Sequence, residues 1–91
     1  MKKVTILGST GSIGVSALDI IAKNPGKFKV TALTAGGNMK ELARQMIRFK
    51  PSVVAVRTKH DAQNLRNLTG VSKTRILYDV SGFVEAASNR S

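Results

Sequence analysis

Short apolar runs alternate with longer amphipathic stretches along this chain, and the alternation sets its architecture. Lys2 to Leu7 (Lys-Lys-Val-Thr-Ile-Leu) reads as a strand. From about Ile13 to Lys23, the residues Ile13, Ala17, Ile20 and Ile21 recur at i, i+4, i+7 and i+8, one apolar stripe of a helix. Asn24-Pro25-Gly26 ends it, since proline cannot extend the hydrogen-bond ladder. Phe28 to Thr34 predicts a second strand, followed by a turn at Ala35-Gly36-Gly37-Asn38. Met39 to Lys50 carries the clearest helical period, with Met39, Leu42, Ala43, Met46 and Ile47 on one face. Lys40, Glu41, Arg44, Gln45 and Arg48 take the other face, and Asn38 is placed as the N-cap. Pro51 closes that helix, and Val53-Val54-Ala55-Val56 has the continuous apolar character of a buried parallel strand. Ala62, Leu65 and Leu68 predict a third helix with Asp61 near its start. Arg75 to Asp79 forms a short fourth strand, and Val84 to Ala87 falls in a final helix begun near Ser81.

Strand and helix therefore alternate with connections of a few residues. The pattern predicts an α/β fold: a Rossmann-like, doubly wound parallel sheet with right-handed crossovers and helices on both faces. Ligands of such sheets bind at the carboxyl ends of the strands. Here those ends are the turn Gly8 to Ile13, the turn Ala35 to Asn38, and the exit of the third strand near Arg57.

The first of these turns carries the chemistry. Gly8-Ser9-Thr10-Gly11-Ser12-Ile13-Gly14 follows a strand and opens a helix, so unpaired backbone N–H groups and the positive end of the helix dipole converge on one point. An anion is the expected occupant. Gly8 is assigned to the tight turn, Gly11 to close approach of a diphosphate, and Gly14 to close helix–strand packing, with hydroxyl donors from Ser9, Thr10 and Ser12. The spacing is G-x-x-G-x-x-G rather than G-x-G-x-x-G, so position in the fold, not the triplet alone, supports the reading.

Composition narrows the classes. Fifteen Lys and Arg against five acids give a net charge of +10. The basic residues are scattered in runs of at most two, and Phe28, Phe49, Tyr78 and Phe83 do not interleave with them as a base-stacking platform would. No nucleic-acid partner is expected, and nothing approaches the roughly 18 apolar residues of a membrane span. No cysteine is present, which excludes disulfides, thiolate metal sites and a cysteine nucleophile. Asp19, Glu41, Asp61, Asp79, Glu85 and His60 show no metal-ligand spacing, and Ser9, Thr10 and Ser12 have no neighbouring base, so no catalytic or metal-binding residue is assigned.

The second turn bears on the cofactor. A site for NAD carries an acid about 20 residues past the glycine turn, for the ribose hydroxyls. This chain has Gly36-Gly37-Asn38 there, and no carboxylate between Asp19 and Glu41. NADPH is expected over NADH, with Asn38 hydrogen-bonding the 2′-phosphate and Lys40, Arg44 or Arg57 supplying charge.

Lys3-Val-Thr-Ile-Leu-Gly-Ser-Thr-Gly-Ser-Ile-Gly14, then Leu18-Asp19, Phe28-Lys-Val-Thr-Ala-Leu-Thr-Ala-Gly-Gly-Asn38, and Gln45 with Pro51, resemble the amino terminus of the 1-deoxy-D-xylulose-5-phosphate reductoisomerase family. The resemblance implies that residues 1–91 are the amino-terminal part of an NAD(P)-binding Rossmann-like domain, with the catalytic and carboxyl-terminal domains beyond this chain. It implies an oxidoreductase of the non-mevalonate isoprenoid pathway. Such an enzyme isomerises a sugar phosphate and reduces it with NADPH to 2-C-methyl-D-erythritol 4-phosphate. A divalent metal, Mg or Mn, and a homodimer are implied for the full-length protein, in a bacterial cytoplasm or a plastid stroma. The positions Thr10, Gly11, Ser12 and Ile13 then meet the diphosphate region, and Gly36, Gly37 and Asn38 the adenosine end. Many members carry Lys or Arg where this chain has Gly37, so Arg57 or Lys40 is the expected substitute cation. A non-catalytic nucleotide- or polyanion-binding module is the alternative reading of the same features.

Overall fold

The computed structural model describes residues 1–70 and 73–78. Seven elements follow one another in the order β1 (Lys2–Ile6), α1 (Ser12–Ala22), β2 (Phe28–Thr34), α2 (Met39–Phe49), β3 (Val53–Val56), α3 (Lys59–Thr69) and β4 (Arg75–Tyr78). All three strand pairings are parallel, and the sheet order is β1-β2-β3-β4. The predicted helix near Ser81 lies outside the described residues.

Because each crossover moves one strand further in the same direction, right-handed connections put successive helices on one face. Leu18 of α1, Leu42, Ala43 and Met46 of α2, and Ala62 and Leu65 of α3 indeed share one core with Val30, Leu33, Val54 and Val56 of the sheet. Among the described residues, winding therefore runs one way. The opposite face is also buried and is built from small residues, Ala32, Val53 and Ala55, with Leu77 packed against them.

A bulge in β2 makes this arrangement possible. Val4 pairs with Val30 but Thr5 pairs with Ala32, leaving Thr31 as the extra residue. The insertion reverses the alternation, so Val30 and Leu33, three residues apart, both reach the helical core. Thr31 Oγ1 donates to Val4 O at 3.1 Å, satisfying a carbonyl that the broken ladder would strand.

Sequence expectations on all three helices are corrected here. Of the α1 stripe Ile13–Ala17–Ile20–Ile21, Ile21 packs against the core and Ala17 is half-buried, but Ile13 is 85% exposed and Ile20 59%, whereas Gly14 and Leu18 are buried. Tight approach of Gly14 to the glycine turn fixes the rotation of the helix, and the residues in phase with position 14 turn inward. On α2, Gln45 belongs to the buried face while Ile47 is 61% exposed. Leu68 of α3, expected in the core, is 41% exposed.

Candidate functional site

The site begins where β1 ends. Gly8 adopts φ +67, a conformation that a side chain at Cβ would disfavour, and this lets the chain reverse within the turn. Ser9 N donates to Thr34 O at 2.8 Å and Gly8 N to Thr34 Oγ1 at 3.0 Å, so the end of β2 clamps the turn from one side. Gly14 clamps it from the other. A Cβ there would overlap Gly8 O and lie 2.6 Å from Ser9 Cα, so only glycine lets α1 come this close.

Four amides remain open. Gly11 N is used within the turn, donating to Gly8 O at 3.1 Å, and Val15 N begins the helical ladder on Gly11 O at 2.9 Å. The N–H groups of Thr10, Ser12, Ile13 and Gly14 have no acceptor among the described residues. Gly11 is the N-cap and offers no side-chain cap, and the first turn of α1 contains no acid. The result is a cluster of unpaired donors at the positive end of a helix dipole, facing the carboxyl edge of a parallel sheet.

The second turn lies against the first. Thr10 Oγ1 donates to Gly37 O at 3.1 Å. Gly36 and Gly37 are exposed, and Asn38 caps α2, its Oδ1 accepting from Glu41 N at 3.3 Å from a left-handed φ of 55. The exit of β3 completes the group: a Cβ on Gly36 would lie 3.4 Å from Arg57 Cδ, which brings the exposed Arg57 over this turn. Of the other candidate cations, Arg44 pairs with Glu41 at 3.5 Å, and Lys40 is exposed in the first turn of α2. Thr10, Gly11, Ser12, Ile13, Gly36, Gly37 and Asn38 thus lie on two touching turns. Ser9 does not join them, because it is fully buried and its hydroxyl has no partner.

Sequence reasoning missed two residues that shape this site. Thr34 looked like an ordinary strand residue, and nothing local distinguishes it. Gln45 had a signal: it sits three residues after Leu42 and four before Phe49, in phase with the buried stripe. It is 6% exposed, and its Nε2 donates to Ser9 O at 2.8 Å. Gln45 Oε1 and Ser9 Oγ are both buried without a partner, each at a cost of about 1–3 kcal/mol.

For a metal, the fit is poor. No group of three or more His, Cys, Asp or Glu side chains converges among the described residues, and His60 lies exposed in the first turn of α3. Asp19 is engaged by Lys23 at 3.0 Å. No helix of the described residues is long and apolar enough to cross a membrane.

Open helix amides at the carboxyl edge of a parallel sheet are the means by which Rossmann-like domains hold the phosphates of nucleotides, and this fold is of that class. Known proteins narrow the class to one family. A family model described as 1-deoxy-D-xylulose 5-phosphate reductoisomerase matches residues 4–91, and the chain belongs to that family. The enzyme of that name from Geotalea uraniireducens is 51% identical over 88 residues, which cover 97% of this chain but 23% of that protein. The Chlorobium limicola enzyme is 44% identical with the same coverage. Among solved structures, the Zymomonas mobilis reductoisomerase in complex with NADPH superposes with a TM-score of 0.87 at 35% identity. It is matched over 94% of this chain and 23% of its own. A reductoisomerase bound to NADPH, fosmidomycin and magnesium gives a TM-score of 0.88 at 30% identity, over 100% of this chain and 22% of that one. The chain thus spans less than a quarter of the length of these relatives.

Proposed function

We propose that this chain is the NADPH-binding amino-terminal part of an enzyme that isomerises and reduces 1-deoxy-D-xylulose 5-phosphate to 2-C-methyl-D-erythritol 4-phosphate. The observation that carries the reading is the set of unpaired amides at Thr10, Ser12, Ile13 and Gly14, with no side chain or acid among the described residues competing for them. These residues hold the diphosphate, while Thr10, through its bond to Gly37, keeps the adenosine-side turn in register with it. Gly36 and Gly37 leave room for the ribose, and Asn38, whose Oδ1 is spent on the cap, offers its amide N–H to the 2′-phosphate. Arg57 supplies the charge, since its stem already lies at Gly36. When bound, NADPH supplies the hydride; this part of the chain orients it.

The metal belongs elsewhere in the protein, because the described acids do not converge, and no step is assigned to it here. The sugar-phosphate substrate and the subunit contacts of a homodimer are likewise assigned to the remaining length that the relatives possess. Exposed Leu7, Ile13 and Ile20, and the edge of β1 left unpaired by the described strands, are surfaces that the remainder would cover.

Fluorescence titration with NADPH and NADH, at two salt concentrations, tests the reading. NADPH is expected to bind at least about tenfold tighter than NADH, the scale of one charge-assisted phosphate contact. Equal affinities would overturn the assignment of NADPH. Binding of any polyanion in preference to either dinucleotide, lost steeply with salt, would favour the polyanion-binding module instead.

A further inference from the structure

We infer that Gln45 is a positioning residue for the cofactor, one that sets the direction in which the Thr10 amide points. The inference rests on the dinucleotide reading above and adds a determinant that lies on α2, outside both turns. No peptide bond among the described residues is cis. In a planar trans peptide the C=O and the N–H point in opposite directions, so whatever holds one fixes the other. The peptide between Ser9 and Thr10 has its carbonyl drawn inward to Gln45 Nε2 at 2.8 Å. Its N–H, on Thr10, must then point outward, toward the side from which an anion reaches Ser12, Ile13 and Gly14.

The neighbouring peptides leave this one without another restraint. Ser9 N and Gly8 N are anchored on Thr34, and Gly11 N on Gly8 O, but no described group other than Gln45 holds the Ser9 carbonyl. The two torsions that set the plane of this peptide are ψ of Ser9 and φ of Thr10, and the Gln45 bond acts directly on the group between them. Without the amide of Gln45 the Ser9 carbonyl has no hydrogen bond to hold it inward, and the direction of the Thr10 N–H loses its anchor.

Burial supports a role beyond packing. Gln45 stands on the apolar stripe of α2 at 6% exposure, and its Oε1 has no partner. An apolar side chain of similar length would spare the unpaired Oε1 but leave the buried Ser9 carbonyl without a donor, so packing of α2 alone does not select glutamine here. What glutamine adds is one donor aimed at one carbonyl.

The test compares NADP+ affinity and thermal stability in the full-length protein for the wild type, Gln45→Met and Gln45→Glu. Met keeps the length and helix propensity but has no donor. Glu keeps the shape and donates when its carboxyl is protonated. Gln45→Met is expected to raise the Kd for NADP+ about tenfold and to lower Tm as the buried Ser9 carbonyl loses its donor, and the Thr10 amide resonance should no longer shift on NADP+ addition. For Gln45→Glu, the ratio of its Kd to that of the wild type should climb as pH rises and the carboxyl ionises against the Ser9 carbonyl. Wild-type-like affinity in both variants would overturn the inference. So would a loss that follows Tm alone, with a pH-independent ratio for Gln45→Glu, since that is the signature of packing. A wild-type protein that bound no NADP+ would overturn the dinucleotide reading and this inference with it. Should Gln45→Met fail to fold, the pH series on Gln45→Glu decides alone.

Discussion

The amino-terminal ends of the three helices are built in two different ways. α2 and α3 cap themselves: Asn38 Oδ1 accepts from Glu41 N and Thr58 Oγ1 from Asp61 N, each with an acid in the first turn. α1 begins at Gly11 with neither a side-chain cap nor an acid. A capping side chain is worth about 1 kcal/mol, which α1 forgoes. All three helices start at the same edge of the sheet, so the difference is not one of exposure to ligand. It is one of capping: α2 and α3 each have a first-turn amide taken by a side chain, whereas the Ser12, Ile13 and Gly14 amides of α1 have no acceptor among the described residues.

In the proposed reading the contrast divides the labour of binding a dinucleotide. At α1 backbone amides, which carry no net charge and need close approach, would meet the diphosphate. At α2 one amide is taken by the Asn38 cap and Glu41 stands in the first turn, so the second phosphate would be met by side chains, with Arg57 at Gly36 the cation placed to do it.

The change that breaks this arrangement most severely is Gly14→Ala. Its methyl group would overlap Gly8 O and Ser9 Cα, both backbone, and is expected to destabilise the protein by about 3 kcal/mol and abolish NADPH binding. Urea denaturation and a binding titration measure the two effects. More discriminating is Gly11→Asp. Gly11 sits in extended backbone that any residue adopts, and its Cβ would make only ordinary contact with Gly8 O at 3.4 Å. Giving α1 the cap its neighbours possess should raise stability by about 1 kcal/mol, yet a carboxylate at the diphosphate should weaken NADPH binding about a hundredfold. Gain of stability with loss of affinity is the outcome expected if α1 is left uncapped for the diphosphate; a parallel change in both would contradict that role.

Arg57→Ala probes the other end. It should weaken NADPH about tenfold while leaving NADH within about twofold, and an equal effect on both removes Arg57 from the 2′-phosphate. The smallest effect is expected for Thr58→Ala. It removes the α3 cap, lowers stability by about 1 kcal/mol, and leaves the affinity for NADPH unchanged, as thermal unfolding and titration would show.

Strands β2 and β3 stood out in the sequence residue for residue, because β-branched runs bounded by Gly, Pro and Asn admit few other readings. Helix α2 was nearly as plain, with Asn38 its cap as expected. The rotation of α1 was not legible. Its apolar residues surround the helix, and what decides which face turns inward is the contact of Gly14 with the turn before it, a tertiary event. The β2 bulge was hidden for a related reason, since Thr31 differs from its neighbours only once β1 is paired beside it. In the site, the glycine turn and the acid-free second turn were visible in the sequence, whereas the clamp by Thr34 and Gln45 was not. Gln45 was assigned to the polar face by its chemistry, although its helical phase placed it inward.

In the proposed reading the open amides of α1 receive the diphosphate, and backbone amide resonances of the selectively labelled protein, followed during NADPH titration, report on this at each residue. The Thr10, Ser12, Ile13 and Gly14 amides should move downfield together and saturate at one Kd, while the Glu41 and Asp61 amides, already held by Asn38 and Thr58, stay in place. Saturable binding that left the four α1 amides unmoved would contradict the account.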